Sequence, residues 1–132
     1  AVFEGKIAAS NMLKDKRTEP DYTGVPSVVF TIPELARVGL LEEEARELGD
    51  VEMSFTDTSG WFSQKRIGET HAGAKIITGK DGKILGAHMF GPEYAELINV
   101  FSLAIKLGLT AAQVKAMPAA YPTGASDIGS MF

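Results

Sequence analysis

Alternation of apolar and polar residues predicts β-strands in the first two thirds of the chain. In VEMSFTDT, residues 51–58, apolar and polar side chains alternate, which is typical of a strand with one buried face. The segment PSVVFTIP, residues 26–33, is rich in β-branched and aromatic side chains and predicts a buried strand bounded by prolines. Residues 72–91 contain two apolar runs around GKDGK, which predicts a hairpin that turns at Asp81-Gly82.

Apolar residues at helical spacing predict helices at 2–14, 42–48, 92–108 and 111–117. In the longest of them, 92–108, the polar residues form one narrow stripe and apolar side chains cover the rest of the surface. So wide an apolar surface predicts burial on more than one side, by the sheet and by a second subunit. The order of the elements predicts an α+β fold with a largely antiparallel sheet, a hairpin and flanking helices.

The composition excludes several classes of function. The chain has 132 residues, a formal net charge of −4 and 45% hydrophobic residues, which suits one soluble domain with its own core. This acidic balance gives no support for binding nucleic acid or an anionic membrane, because both require a basic face. No apolar run approaches the roughly 18 residues that span a bilayer, and the first residues do not follow the pattern of a signal peptide.

Cysteine is absent and histidine is scarce. The lack of cysteine removes disulfides, thiolate nucleophiles and cysteine-based metal sites from this chain. His88 is interpreted as structural and His71 as a surface or interface residue, so no metal site is predicted. A chain without cysteine fits a reducing compartment, and we predict a cytoplasmic protein.

The segment MPAAYPTGASDI carries the candidate chemistry. Tyr121, Pro122 and Thr123 follow the last predicted helix and precede a small, polar stretch that contains Ser126 and Asp127. Two interpretations stay open from the residues alone. Tyr121 either acts in a site or is a packed tyrosine with its hydroxyl at the surface. Ser126 and Asp127 either belong to that site or cap a final helical turn.

Three separated stretches resemble the C-terminal dimerisation domain of the flavin-dependent pyridine nucleotide–disulfide oxidoreductases. That family includes glutathione reductase, dihydrolipoyl dehydrogenase and mercuric reductase. The matching stretches are VPSVVFTIPELARVGLLEEEARELG, GKILGAHMFGPEYAELINVFSLAIKLGLT and YPTGASDI, which follow one another in the family's order. By this resemblance, residues 25–132 form the dimerisation domain. Residues 1–24 resemble the tail of a preceding FAD-binding domain and its connector.

The resemblance implies a homodimer whose interface is built mainly by this domain. It also implies that FAD and NAD(P)H are bound by upstream domains of a longer parent protein, and that this chain alone binds no cofactor. No Gly-x-Gly-x-x-Gly fingerprint follows a predicted strand here, so the sequence offers no evident cradle for dinucleotide phosphates. The chain alone is therefore expected to be inactive. Its parent is expected to be a flavoprotein NAD(P)H oxidoreductase whose electron acceptor need not be a disulfide.

The resemblance places Tyr121 where the family usually has a histidine. The family pattern is His-Pro-Thr with a glutamate a few residues later, and the glutamate's place falls here at Ser126 or Asp127. The histidine acts as an acid and base near the partner subunit's redox cysteines, and the glutamate orients it. An imidazole, with an ordinary pKa near ~6.5, exchanges protons at neutral pH, whereas a phenol, at about 10, stays protonated.

The exchange of imidazole for phenol changes the expected chemistry. We predict that Tyr121 donates a hydrogen bond or orients a substrate, rather than acting as a general base. The segment Tyr121-Pro122-Thr123 is expected to face the partner subunit's flavin, and Tyr121-Pro122 is expected to be a cis peptide, as the family's His-Pro bond typically is.

A function of another class also stays open. The chain could be a freestanding α+β module that binds a small ligand in a cleft beside Tyr121. A persistent dimer over a range of concentrations would favour the dimerisation domain. A monomer with a ligand-dependent thermal shift would favour the ligand-binding module.

Overall fold

The computed structural model describes residues 2–15 and 17–132 of the chain. Its strands are β1 (Ser27–Val29), β2 (Leu35–Gly39), β3 (Val51–Asp57), β4 (Gly73–Gly79) and β5 (Ile84–Phe90). Its helices are α1 (Val2–Asn11), α2 (Glu42–Glu47), α3 (Phe62–Lys65), α4 (Tyr94–Leu107), α5 (Ala111–Lys115) and α6 (Gly124–Asp127), followed by a 3-10 turn (Ile128–Ser130). No helix within these described residues is long and apolar enough to cross a membrane.

The five strands form one sheet in the order β1-β2-β5-β4-β3, and each neighbouring pair is antiparallel. Strands β4 and β5 form the predicted hairpin, and Gly82 in its turn has a φ of 76°. Glycine adopts this left-handed conformation without the steric cost that a Cβ atom brings. The prediction of an α+β fold with an antiparallel sheet is confirmed.

Helix α4 covers one face of the sheet and builds the main core. Because side chains alternate along a strand, every second residue of β2, β4 and β5 faces this helix. The side chains on this face are small or aliphatic, and Phe101 of α4, at 0% exposure, packs among them. The strand residues of this core are Ala36, Val38, Ala74, Ile76, Ile84, Ala87 and Met89.

Helix α2 lies against the opposite face of the sheet. Lys75 of β4 contacts Glu42 of α2 at 3.0 Å, and His88 of β5 is hydrogen-bonded to the carbonyl of Leu40 at 2.9 Å. The chain reaches α2 through Gly39, whose φ is 76° and where a Cβ atom would lie 2.2 Å from the Leu85 carbonyl oxygen. Only glycine fits so close a backbone approach.

The half of this face that α2 does not cover is open. Leu35, Phe55 and Phe90 lie on it, from three different strands, and Phe55 is 73% exposed. A groove of about 510 Å³ runs along these side chains. The open half thus presents apolar side chains of the sheet to solvent.

Two sequence-based expectations about burial are wrong. The segment 26–33 forms only the three-residue strand β1, and its Phe30 and Ile32 are 81% and 101% exposed. β1 is an edge strand that pairs with β2 alone, so one flank has no neighbour to bury it. The alternation in β3 correctly predicts a strand but places Phe55 on a buried face, which the chain leaves uncovered.

Helix α4 begins two residues later than its sequence suggests. Its first residue is Tyr94, and Glu93 precedes it with a φ of 62°. Its outer surface is partly covered by the connector, because Ser102 donates a hydrogen bond to the Gly24 carbonyl and Lys106 pairs with Asp21. Leu103 and Leu107 stay exposed on this outer surface.

Candidate functional site

Tyr121 lies on the loop between α5 and α6, at one end of the domain. Its side chain is 80% exposed. The Tyr121-Pro122 peptide is cis, as predicted. The loop is shaped by its own hydrogen bonds, since the Thr123 hydroxyl donates to the Ala120 carbonyl at 2.6 Å.

Ser126 and Asp127 lie close to Tyr121 but have other hydrogen-bond partners. The Ser126 hydroxyl donates to the Thr123 carbonyl at 2.6 Å, and the Asp127 carboxylate accepts a hydrogen bond from Ser63 at 2.6 Å. The three predicted site residues line one cavity of about 20 Å³. Within the described residues, no hydrogen bond joins the Tyr121 hydroxyl to either of the other two.

Ser126 takes part in capping α6, whereas no side-chain hydrogen bond caps the final turn that begins at Ile128. The Ser126 hydroxyl accepts from the backbone amide of Thr123, the residue that caps α6, at 3.3 Å. Asp127 precedes the final 3-10 turn, but its side chain makes no capping hydrogen bond there. Its carboxylate instead turns toward α3, where Ser63 donates to it. A capping side chain must accept a hydrogen bond from a backbone amide of its own helix, whereas the Asp127 carboxylate accepts from a side chain of α3.

Helix α3 completes the surroundings of Tyr121 and was missed by the sequence analysis. Its residues Phe62, Ser63 and the following Arg66 line the same cavity as Tyr121 and Thr123. Four residues make only one helical turn, which is too short for a periodic apolar signal. A buried glutamine inside this turn also gives no pattern that sequence reasoning can recognise.

A buried polar cluster anchors α3 to the core. The Thr58 and Tyr94 hydroxyls lie 2.7 Å apart, and the Gln64 amide nitrogen donates to the Tyr94 hydroxyl at 3.4 Å. Gln64 is only 3% exposed, and its side-chain oxygen has no partner among the described residues. Burial raises the pKa of Tyr94 above its usual value, and the charge of Asp127 raises that pKa further.

The acidic and histidine side chains do not form a metal site in the part of the chain that the structure describes. No group of three histidine, aspartate or glutamate side chains there could hold a metal ion. His88 has the structural role that the sequence predicts, through its bond to Leu40, and His71 lies exposed at the surface.

The comparison with protein families is decisive for the identity of the fold. Residues 25–132 match the family described as pyridine nucleotide-disulphide oxidoreductase, dimerisation domain. The chain belongs to this family. Its predicted identity as a dimerisation domain is confirmed, and the family self-associates through domains of this kind.

Related proteins contain a similar segment within longer chains. The chain is 41% identical to an uncharacterized 19.7 kDa protein in a mercuric resistance operon of Staphylococcus aureus, over 99% of this chain and 74% of that protein. It is 38% identical to dihydrolipoyl dehydrogenase of Bacillus subtilis, of which it covers 26%. It is 33% identical to the glutathione reductase of Pisum sativum, of which it covers 24%. The chain thus spans about a quarter of these two enzymes.

Two solved structures contain the same fold, and one of them is of a flavoprotein disulfide reductase. The copper(II) complex of a mutant of RclA, an HOCl-induced flavoprotein disulfide reductase from Escherichia coli, superposes with a TM-score of 0.89 at 25% identity. The alignment covers 99% of this chain and 30% of that protein. LpdA from Mycobacterium tuberculosis shows the same fold with a TM-score of 0.86 at 22% identity, over 99% of this chain and 29% of that protein.

Proposed function

We propose that this dimerisation domain serves a homodimeric flavoprotein NAD(P)H oxidoreductase in the cytoplasm. In this proposal, FAD and NAD(P)H are bound by other domains of the parent protein, and residues 1–24 are the tail and connector of its FAD-binding domain. The match of residues 25–132 to the family supports the proposal, as does the domain's share of about a quarter of the related enzymes. The domain alone has no redox activity.

The exposure of Tyr121 is the observation that carries the proposed role of the site. A tyrosine that serves only packing is usually buried along its ring, but this side chain is 80% exposed. The local hydrogen bonds of Thr123 and Ser126 shape the loop without using the Tyr121 hydroxyl. The segment Tyr121-Pro122-Thr123 is therefore free to contact a partner subunit, and it presents a phenol to that subunit's flavin site.

The proposed chemistry of Tyr121 is hydrogen-bond donation. Within the described residues, no lysine or arginine forms a hydrogen bond or ion pair with it that would favour the phenolate. A protonated phenol can orient an acceptor or stabilise negative charge that develops on it. Ser126 and Asp127 take the place of the family's orienting glutamate, but they act on the loop rather than on the Tyr121 hydroxyl.

Two substitutions test this role in the intact parent protein. Tyr121→Phe removes only the hydroxyl, and we expect kcat to fall about tenfold or more, as for the loss of one hydrogen bond made in the transition state. Tyr121→His restores the family's usual acid and base, and we expect it to change the pH dependence of turnover. Unchanged turnover in Tyr121→Phe would reduce Tyr121 to a surface residue.

Self-association is tested with the chain itself. We propose that the outer surface of α4, with Leu103 and Leu107 exposed, contributes to the interface. The molar mass measured over a range of concentrations should then be that of a persistent dimer. Leu103→Glu should weaken the dimer at least about tenfold, because it places a charge in an apolar contact. Phe55→Glu on the open sheet face is the matched control. If it weakens the dimer more than Leu103→Glu does, the interface lies on the sheet rather than on α4.

The coding sequence upstream of Ala1 tests the parent. Two Gly-x-Gly-x-x-Gly units would support the flavoprotein, and a Cys-x4-Cys pair near the first would add a redox disulfide. The fingerprints without the cysteine pair would mean that electrons pass to another acceptor. The absence of any such fingerprint would contradict the proposal.

The alternative of a ligand-binding cleft beside Tyr121 has little structural support. The cavity there holds about 20 Å³, close to the space of a single water molecule. Small-molecule sites usually enclose several hundred cubic ångströms, roughly 300 or more. A ligand-dependent thermal shift of a monomeric chain would revive this alternative.

A further inference from the structure

We infer that Ser63 is a positioning residue for the Tyr121 segment and that it acts by binding the Asp127 carboxylate. The Ser63–Asp127 hydrogen bond is called the clamp. The Ser63 hydroxyl donates to the Asp127 carboxylate at 2.6 Å, between side chains that are both partly buried. The two residues are 64 positions apart in the chain and belong to different elements, α3 and α6. A hydrogen bond to a carboxylate is among the stronger ones in a protein.

The other polar contacts of the loop cannot fix its place on the domain. The hydrogen bonds of Thr123 and Ser126 link residues only three apart, so they shape the turn and move with it. Apolar contacts of Ala125, in α6, and of Ile128, directly after it, hold this helix against the core. Among the described residues, the Ser63–Asp127 bond is the side-chain hydrogen bond that ties residues 118–127 to another element.

Helix α3 is a suitable base for this clamp because it is itself fixed. A single helical turn has almost no stability of its own. Gln64, the neighbour of Ser63, is buried and bonds to Tyr94 of α4, which in turn contacts Thr58. The contacts from the core through Gln64 to Ser63 therefore give the Asp127 carboxylate a fixed partner, in addition to the apolar contacts of Ala125 and Ile128.

The clamp gives Asp127 a role that differs from orienting a base. Its carboxylate is engaged by Ser63 rather than by Tyr121, so its role is to hold the loop in place. Phe62 and Arg66, on either side of the clamp, line the cavity shared with Tyr121. The consequence for the flavin site rests on the proposed function, whereas the clamp itself is a property of this chain.

The clamp can be tested in the chain without any flavin. Backbone amide exchange at Ser126 and Ile128 reports the opening of α6, and the fluorine NMR signal of 3-fluorotyrosine at position 121 reports the place of the loop. Tyr121→Phe identifies that signal, and Tyr22 supplies an internal reference. The variants are Ser63→Ala, Ser63→Thr, Asp127→Ala and the double variant. Ser130→Ala is the matched control, at an exposed serine with no side-chain hydrogen bond in the described structure.

Ser63→Ala should speed exchange at both amides about tenfold, the change expected for losing a hydrogen bond to a carboxylate. It should also shift the Tyr121 fluorine signal while exchange in β4 and β5 stays unchanged. Ser63→Thr keeps the hydroxyl and should restore both readouts. The double variant should behave like Asp127→Ala alone, because both changes remove the same interaction.

Three results would overturn the clamp. They are additive effects in the double variant, failure of Ser63→Thr to restore the signal, and an equal rise of exchange throughout the sheet. No cofactor or partner enters the measurement. Failure of the clamp would therefore leave the proposed flavoprotein function standing, and failure of that function would leave the clamp standing.

Discussion

The two faces of the sheet are closed by different means. The face under α4 is filled mainly by small and aliphatic side chains that pack around Phe101. On the opposite face, the Glu42–Lys75 ion pair joins α2 to the sheet, the His88–Leu40 hydrogen bond joins the segment that leads into α2, and the remaining half is open. The chain thus completes one face itself and leaves apolar side chains such as Phe55 uncovered on the other.

This difference separates the apolar surface that stabilises the fold from the apolar surface that is available for contacts with another protein. Apolar burial is the dominant favourable term in folding, so the α4 face carries most of the stability. An exposed apolar surface on a folded domain is available for interaction with another protein surface. The end of the domain that carries Tyr121 is fastened in part by the Ser63–Asp127 hydrogen bond, and one hydrogen bond contributes less than the burial of a large apolar side chain.

The largest effect should come from the same substitution made on the two faces. Phe101→Ala removes a side chain with 0% exposure, and we expect it to lower the free energy of unfolding by about 3–5 kcal/mol. Phe55→Ala is the matched control at 73% exposure and should cost less than about 1 kcal/mol. Urea denaturation followed by circular dichroism measures both. Similar losses for the two variants would contradict the division between the faces.

A smaller loss is expected at the buried polar cluster. Tyr94→Phe keeps the ring but removes the hydroxyl that contacts Thr58 and Gln64. Thr58 is fully buried, so its hydroxyl would lose its partner, at a cost of about 1–2 kcal/mol near neutral pH. The same denaturation experiment at neutral pH checks this. A variant as stable as the wild type would mean that the cluster makes no net contribution to the free energy of unfolding.

The same tyrosine should make stability fall at alkaline pH. Its pKa in the folded chain is raised above the ordinary 10.0, so its contribution is complete below pH 10 and is lost as the pH rises through the folded pKa. Denaturation midpoints between about pH 8 and pH 11 should therefore fall less steeply in Tyr94→Phe than in the wild type. Thr58→Val removes the same hydrogen bond but keeps the phenol, so it should retain the steep fall. Equal slopes in all three proteins would exclude Tyr94 as the cause.

The sequence predicts the fold better than it predicts which surfaces stay open. The hairpin, the glycine turn at Gly82 and the long helix α4 follow from local patterns that tertiary structure did not override. Alternation in β3 predicts a strand, but it cannot say whether another element covers Phe55. Burial of a strand face depends on distant parts of the chain, which is why Phe55 and Ile32 were wrongly expected to be buried.

The candidate site shows the same limit. The segment containing Tyr121 could be chosen from sequence, because a family pattern marks it. The partner of Asp127 could not, since Ser63 lies 64 residues away on a helix of one turn that leaves no periodic signal. Long-range hydrogen bonds between small polar residues have no sequence signature, and only the fold brings them together.

The smallest effect should come from the two ion pairs of Glu42, one within α2 and one that joins this helix to Lys75 of β4. Arg46 and then Lys75 hold the pKa of Glu42 below its ordinary 4.5, so this stabilisation is present above that pH and is lost as the pH falls through the folded pKa. Glu42→Gln should therefore flatten the acid side of the stability profile below about pH 4.5. Glu43→Gln, at an exposed neighbour on the same helix, should leave the profile as it is. Salt should reduce the difference, because these charges are partly exposed to solvent. An equal response of both variants would show that α2 is held by packing, as α4 is, and the contrast between the two faces would then rest on apolar burial alone.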